Sequence, residues 1–119
     1  MLSFDRPGNT SSASEMVIEF LEPWVALEAN ADFFQRELVA EVGTGHPLHG
    51  REMRAVARRE DCDDVLFVST DEPPLVAVVH LTYGRRPETD PRFPWTTIFE
   101  SIEVWIERGM KADHEDQFA

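Results

Sequence analysis

The sequence predicts an α+β domain with an N-terminal helical segment, a four-stranded antiparallel meander sheet and a C-terminal helix. Two runs, 65–68 and 75–83, are rich in β-branched and aromatic residues and bounded by turn residues, which is typical of central strands. The connections between neighbouring strand-like runs are short, so they allow antiparallel pairing and exclude parallel crossovers. Apolar residues at helical spacing occur on both sides of this region.

The first helix is predicted from an apolar stripe with intervals of three and four, with Glu41 among the polar residues between. Asn30 is a suitable N-cap, so the helix is predicted over 31–42, and an N1 proline would extend it back to Pro23. Residues 15–22 are predicted equally well as helix or strand. The residues of the stripe are Trp24, Leu27, Ala31, Phe34, Leu38 and Val42.

Strands are predicted in four stretches before the last helix. In Met53–Arg59 the side chains of Arg54 and Arg58 alternate with small or apolar ones, which favours an edge strand with one apolar face. Acidic and proline-containing turns separate it from strands at 65–69 and 75–83. A loop with three prolines then leads to a short fourth strand, Trp95–Phe99.

The closing helix is predicted to begin after Ser101, which can cap it, and the acidic chain from Asp113 is expected to fray. The apolar face of this helix is formed by Ile102, Trp105, Ile106 and Met110. The chain is therefore divided into a flexible arm over 1–14, one α+β domain over 15–113 and an acidic tail over 114–119. Strands two and three are apolar on both faces, so we expect helices on both sides, or helices on one side and a second subunit in a homodimer.

Acidic residues number 23 and basic residues 11, so the formal net charge is -12. Such a surface repels phosphate backbones, which excludes nucleic acid as a partner, and favours a basic protein partner. One cysteine, Cys62, excludes an internal disulfide and fits a cytoplasmic setting. The sequence shows no secretory signal and no stretch long enough to span a membrane, so no membrane association is expected.

The candidate ligand-binding residues are histidines and arginines. His46 and His49 have the i, i+3 spacing that can bind one metal, but Pro47 and nearby glycines preclude the helix that would fix it. They are predicted as turn residues, one hydrogen-bonded to the sheet, and no metal or cofactor is expected. His80 is either a satisfied core histidine or a polar group in the floor of a cleft. The residues of this candidate site are His46, His49, Arg54, Arg58 and His80.

A second candidate site is a protein interface at Arg92, Phe93 and Trp95. Aromatic residues close to a strand usually complete a core, but aromatic and arginine side chains are also the commonest anchors of protein interfaces. The arginines could instead have a purely structural role, in ion pairs with neighbouring acids. No nucleophile elbow or phosphate-binding loop is present, and Cys62 lies between aspartates that oppose thiolate formation, so an enzyme is not favoured.

Three segments resemble a family of small bacterial proteins to which no function is assigned: GHPLxG from Gly45, AVARRxDxDDVLF from Ala55, and VVHLT from Val78. The resemblance implies a bacterial, single-domain protein and carries no catalytic residue. The leading hypothesis is a non-enzymatic protein-binding protein, of the kind represented by immunity proteins and antitoxins, with a basic partner. The alternative is a small-molecule-binding or hydrolytic protein with a site lined by His and Arg.

Overall fold

The computed structural model describes residues 18–87 and 89–118 of the chain. Five antiparallel strands form one sheet in the order β1-β2-β3-β4-β5, a meander without a crossover. The strands are β1 (Trp24–Ala26), β2 (Met53–Arg59), β3 (Asp64–Ser69), β4 (Val76–His80) and β5 (Trp95–Phe99). The α+β class and the antiparallel meander are confirmed, and the predicted strand count of four is wrong. The arm predicted over 1–14 lies outside the described residues.

The additional strand is β1, which pairs with β2 in the register Trp24 with Arg59 and Ala26 with Ala57. Trp24 therefore belongs to the sheet and not to the first helix, and Met53–Arg59 is an inner strand and not an edge. Because β1 precedes the first helix, the predicted order with a helix at the N-terminal side is also wrong. A strand of three residues is too short to show a period of its own.

The first helix, α1, spans Ala31–Glu41, close to the predicted 31–42. It covers one face of the sheet, where Phe34 and Leu38 pack with Phe67 and Val79 of the central strands. A second core lies on the opposite face, where Trp105 and the π-helical turn that follows it cover the sheet. This second core contains Trp24, Ala57, Leu66, Val68, Val76, Trp105 and Met110. Both faces of the central strands are thus covered by helices of the same chain.

The C-terminal helical segment consists of α2 (Ile102–Trp105), a π-helical turn (Ile106–Met110) and α3 (Lys111–Phe118). Ser101 caps it as predicted, since its hydroxyl oxygen accepts a hydrogen bond of 3.2 Å from the amide of Val104. The helix continues to Phe118, beyond the point at which the sequence predicts fraying. Its link to β1 is direct, because the Trp24 indole donates a hydrogen bond of 2.9 Å to Asp113.

A β-bulge at Val56 changes the face on which β2 presents its side chains. Ala55 pairs with Phe67 and Ala57 pairs with Leu66, so Val56 is an extra residue with no counterpart on β3. Consequently Ala55 packs in the core under α1, whereas Ala57 packs in the core under the C-terminal helical segment. The expectation of one apolar face along this strand is therefore wrong.

Within the described residues, no helix is both long and apolar enough to cross a membrane.

Candidate functional site

His46 is buried and belongs to the structure of the loop that follows α1. Its Nδ1 accepts a hydrogen bond of 3.0 Å from the amide of Leu48. Its Nε2 lies 2.9 Å from the carbonyl oxygen of Pro94 and 3.1 Å from the hydroxyl of Thr96. An amide donor at Nδ1 and a carbonyl acceptor at Nε2 require the neutral tautomer with hydrogen on Nε2. His46 is the turn histidine that binds the sheet, and both ring nitrogens are occupied.

His49 lies apart from this network, exposed, at the rim of an open groove of about 500 Å³. The groove is lined by backbone-rich turns and by two prolines, and no other residue of the predicted histidine and arginine site reaches it. Its lining residues are Val42, Gly43, Thr44, Gly45, His49, Pro87, Thr89 and Pro91. None of the other four predicted ligand-binding residues therefore accompanies His49 in the groove.

The bulge at Val56 places Arg54 and Arg58 on opposite faces of the sheet. Arg54 lies opposite Val68, on the face of the C-terminal helical segment, and Arg58 lies opposite Val65, on the face of α1. The prediction that both arginines project from one face is wrong, because the inserted residue shifts the alternation by one position. They cannot act together as a clamp on one ligand.

His80 is the last residue of β4, and its side chain is 52% exposed. Its Nδ1 lies 2.8 Å from a carboxylate oxygen of Asp64, the residue directly opposite on β3. It is therefore neither a core histidine nor the floor of a cleft. The structure places the five predicted ligand-binding residues in five separate environments. In the described residues no group of three or more His, Cys, Asp or Glu could hold a metal ion.

The residues of the second candidate site do lie together. The rings of Phe93 and Trp95 are 6.2 Å apart between centroids, and the guanidinium carbon of Arg92 is 5.9 Å from the centroid of Phe93. Phe93 is 39% exposed and Trp95 is 57% exposed, so these rings do not complete a core. We call the surface formed by Arg92, Phe93 and Trp95 the aromatic cluster.

The aromatic cluster is held in place by short-range contacts on both sides. Arg92 forms a bidentate ion pair with Asp90, with Nη2 2.7 Å from Oδ2, and this pair holds the pKa of Asp90 down to about 2. Trp95 begins β5 and lies opposite His80 in the sheet register. The ordered edge strand and the fixed arginine present the two exposed rings in a defined geometry, which limits the entropy lost on binding.

Two buried acids form a cluster that the sequence did not predict. Glu37 and Glu41 lie on the buried side of α1, and their side chains are hydrogen-bonded to each other. Burial and then this hydrogen bond raise the pKa of Glu41 from 4.5 to about 7, against the opposing effect of backbone amides that donate to it. The spacing of 34, 37 and 41 places both acids beside Phe34 on one helix face, but the spacing does not report the backbone amides that satisfy the buried carboxylates. The prediction that Glu41 lies on the polar face is wrong.

Comparisons of the chain with protein-family models, with curated proteins and with solved structures find no match.

Proposed function

We propose that this chain is a non-enzymatic protein-binding protein that contacts its partner through the aromatic cluster. The observation that carries the proposal is the pair of exposed rings, one of them beneath Arg92, at the start of an edge strand. Exposed aromatic side chains next to an arginine have the composition of interface hot spots. Phe93 and Trp95 would supply most of the apolar contact, and Arg92 would supply a cation and a flat stacking surface.

The partner we propose is basic. The chain has a formal charge of -12, and a long-range field of this sign accelerates association with a positively charged surface. Asp90 lies in the loop before the rings, in its ion pair with Arg92, and Asp64 lies two strands from Trp95, with His80 between them. The rings would therefore provide affinity at short range while the acids provide the rate of encounter.

The most specific form of this proposal is an immunity- or antitoxin-like protein in the cytoplasm of a bacterium. The immunity- or antitoxin-like role rests on analogy with small acidic α+β proteins that neutralise a toxin, and the bacterial source rests on the resemblance of the three segments described above. A chain with one cysteine, which is free, fits a reducing compartment. A basic toxin encoded next to this chain would be the natural partner.

The test is capture of a partner by the immobilised full-length chain from its native cells, at low and at high salt. We expect a basic protein that is retained at low ionic strength and released as salt screens the charges. Phe93→Ala should reduce capture at least about tenfold, the usual effect of losing an aromatic anchor. Val39→Ala is the matched control, because Val39 is 71% exposed on α1 and lies outside the aromatic cluster.

The outcomes separate the proposal from nonspecific adhesion. A captured protein that responds equally to Phe93→Ala and Val39→Ala would show that the aromatic cluster is not the contact surface. Absence of any basic protein at low salt, with a chain shown by circular dichroism to be folded, would overturn the proposal.

A further inference from the structure

The strand β5 forms one edge of the sheet, and in the described part of the chain no further strand pairs with it. Its five residues, Trp95–Phe99, contain no charge and no proline, and its register with β4 is continuous without a bulge. Charges, prolines and bulges are the devices by which proteins protect an edge from pairing with another strand. The opposite edge strand, β1, is only three residues long. β5 is thus the longer edge and carries none of these protections.

The exposed apolar side chains of β5 lie on both faces of the sheet. Trp95 lies opposite His80, on the face of the C-terminal helical segment, and Ile98 lies opposite Ala77, on the face of α1. Trp95 is 57% exposed and Ile98 is 43% exposed. A partner that lies flat against one face would cover only one of them. A strand added along the edge would cover both, because its side chains also alternate between the faces.

We propose that β5 pairs with β5 of a second copy of this chain, antiparallel and centred on Thr97, to form a homodimer with a continuous ten-stranded sheet. This register places Trp95 opposite Phe99 of the second copy, Thr96 opposite its Ile98, and Thr97 opposite its Thr97. Aromatic pairs and threonine pairs directly across two strands are among the favourable cross-strand combinations. In this register two paired residues always point to the same face of the sheet, so each face of one sheet continues into the same face of the other.

The charges next to β5 also fit this arrangement. Glu100 follows the strand, and antiparallel pairing separates the two copies of Glu100 to opposite ends of the shared edge, each opposite the uncharged Pro94. A parallel arrangement would bring the two Glu100 side chains together. Self-complementarity of the strand, and not net charge, therefore favours a second copy as the occupant of this edge. A twofold interface of this kind is the commonest symmetry of small oligomers.

This inference goes beyond the proposed function and does not rest on it. In the dimer, Trp95 of one copy would contact Phe99 of the other, so Trp95 is shared between the two surfaces. Phe93 and Arg92 lie outside the paired strands and are the part of the aromatic cluster that stays fully available to a different protein. Substitutions can therefore separate the two properties. Thr97 variants should affect pairing of copies, and Phe93→Ala should affect capture of the basic partner.

The first experiment is sedimentation equilibrium of the full-length chain over about 5–200 μM, the range in which modest interfaces assemble. We expect a mass that rises from monomer to dimer. Thr97→Lys places like charges directly across the dimer axis and should weaken the dimer at least about tenfold. Val39→Lys makes the same change in charge on an exposed site of α1 and should leave the dimer intact.

The second experiment tests the register by disulfide capture in a Cys62→Ser background, which removes the free cysteine. Thr97→Cys should form a covalent dimer on mild oxidation, since residues directly across an antiparallel pair come within about 4.5–5.5 Å. Ile98→Cys should cross-link much more slowly, because the register places it opposite Thr96. Val39→Cys controls for random collision.

A monomeric mass up to the highest concentration would overturn the homodimer. Equal cross-linking of Thr97→Cys and Val39→Cys would overturn the β5 interface. A monomer in which Thr97→Lys abolishes capture of the basic protein would assign the edge to that partner, which would overturn this inference and leave the proposed function intact.

Discussion

Glu41 and Tyr83 are 42 residues apart in the chain and are joined by a hydrogen bond of 2.6 Å from the backbone amide of Tyr83 to Oε2 of the glutamate. Oε1 accepts a second bond of 2.8 Å from the amide of Thr82, and Glu37 accepts one of 3.2 Å from the amide of Arg85. Tyr83 and Arg85 have φ values of 61° and 62°, in the left-handed region. The two acids of α1 therefore hold the chain in a strained conformation where it leaves β4.

The pKa of Glu41 predicts that the protein is more stable in mild acid than in mild base. Folding raises this pKa from 4.5 to about 7, so the folded state favours the protonated acid. Such a contribution is complete below the unfolded pKa and is lost as the pH rises through the folded pKa. The free energy of unfolding by urea should fall by about 1–2 kcal/mol between about pH 5 and pH 8.

The control for this pH dependence is Glu41→Gln, which is uncharged throughout the range. Its free energy of unfolding should change with pH much less than that of the natural chain, because the titrating group is gone. An equal slope for the two proteins, or a natural chain that becomes more stable as the pH rises, would contradict the assignment to Glu41.

Truncation of Glu41 should cost far more stability than truncation of an exposed glutamate. Glu41→Ala leaves the amides of Thr82 and Tyr83 without their acceptor and should lower the free energy of unfolding by about 2–4 kcal/mol. Glu28 is exposed, and Glu28→Ala should change stability by less than about 0.5 kcal/mol. Equal stabilities of the two variants in urea unfolding would show that these hydrogen bonds contribute little.

The packing of Gly109 against Trp105 predicts an unusual response to alanine. Alanine in place of a helical glycine usually stabilises by about 1 kcal/mol. Here a Cβ atom would lie 2.6 Å from Cδ1 and 2.8 Å from Nε1 of Trp105, whose indole is completely buried. Gly109→Ala should therefore destabilise the protein by about 1–3 kcal/mol, seen as a lower Tm.

Gly84→Ala is the comparison for this substitution, because a Cβ there would meet only the Thr82 hydroxyl at 3.4 Å, an ordinary contact. Its Tm should stay close to that of the natural chain. A higher Tm for Gly109→Ala would mean that the π-helical turn relaxes at no cost and that the close approach to Trp105 is unimportant.

The sequence predicted the elements whose pattern is local and missed those that depend on contacts between distant segments. Helix α1, strand β5 and the Ser101 cap follow from spacing and composition within a few residues, and the structure has them close to the predicted positions. Strand β1 was missed because Trp24 also fits the spacing of the helix, and only pairing with Arg59 defines it as a strand.

The same difference between local patterns and distant contacts applies to the candidate site residues. The exposure of Phe93 and Trp95 is compatible with a short strand at an edge, which the sequence indicates. The separation of Arg54 from Arg58 follows from one inserted residue at Val56 that leaves the sequence alternation unbroken. The burial of Glu41 depends on amides contributed 41 and 42 residues later, and no local pattern reports those.

The two histidines of the loop after α1 should differ in how much stability the protein loses when each is replaced by alanine. His46 is buried and joins the loop to the sheet, through the amide of Leu48 on one side and the carbonyl of Pro94 on the other. His46→Ala leaves the amide of Leu48 without its acceptor, removes one of the two donors to the Pro94 carbonyl and opens a cavity. It should therefore lower the free energy of unfolding by about 2–4 kcal/mol.

His49 is exposed beside the open groove, and His49→Ala should change stability by less than about 0.5 kcal/mol. Urea unfolding of both variants, with and without added Zn²⁺, distinguishes this structural role from a metal site. The loss in His46→Ala should be the same in both conditions, since neither ring nitrogen of His46 is free to bind an ion. Stabilisation of the natural chain by Zn²⁺ that disappears in either variant would instead show that the pair binds metal, because a ligand that binds only the folded state raises its stability.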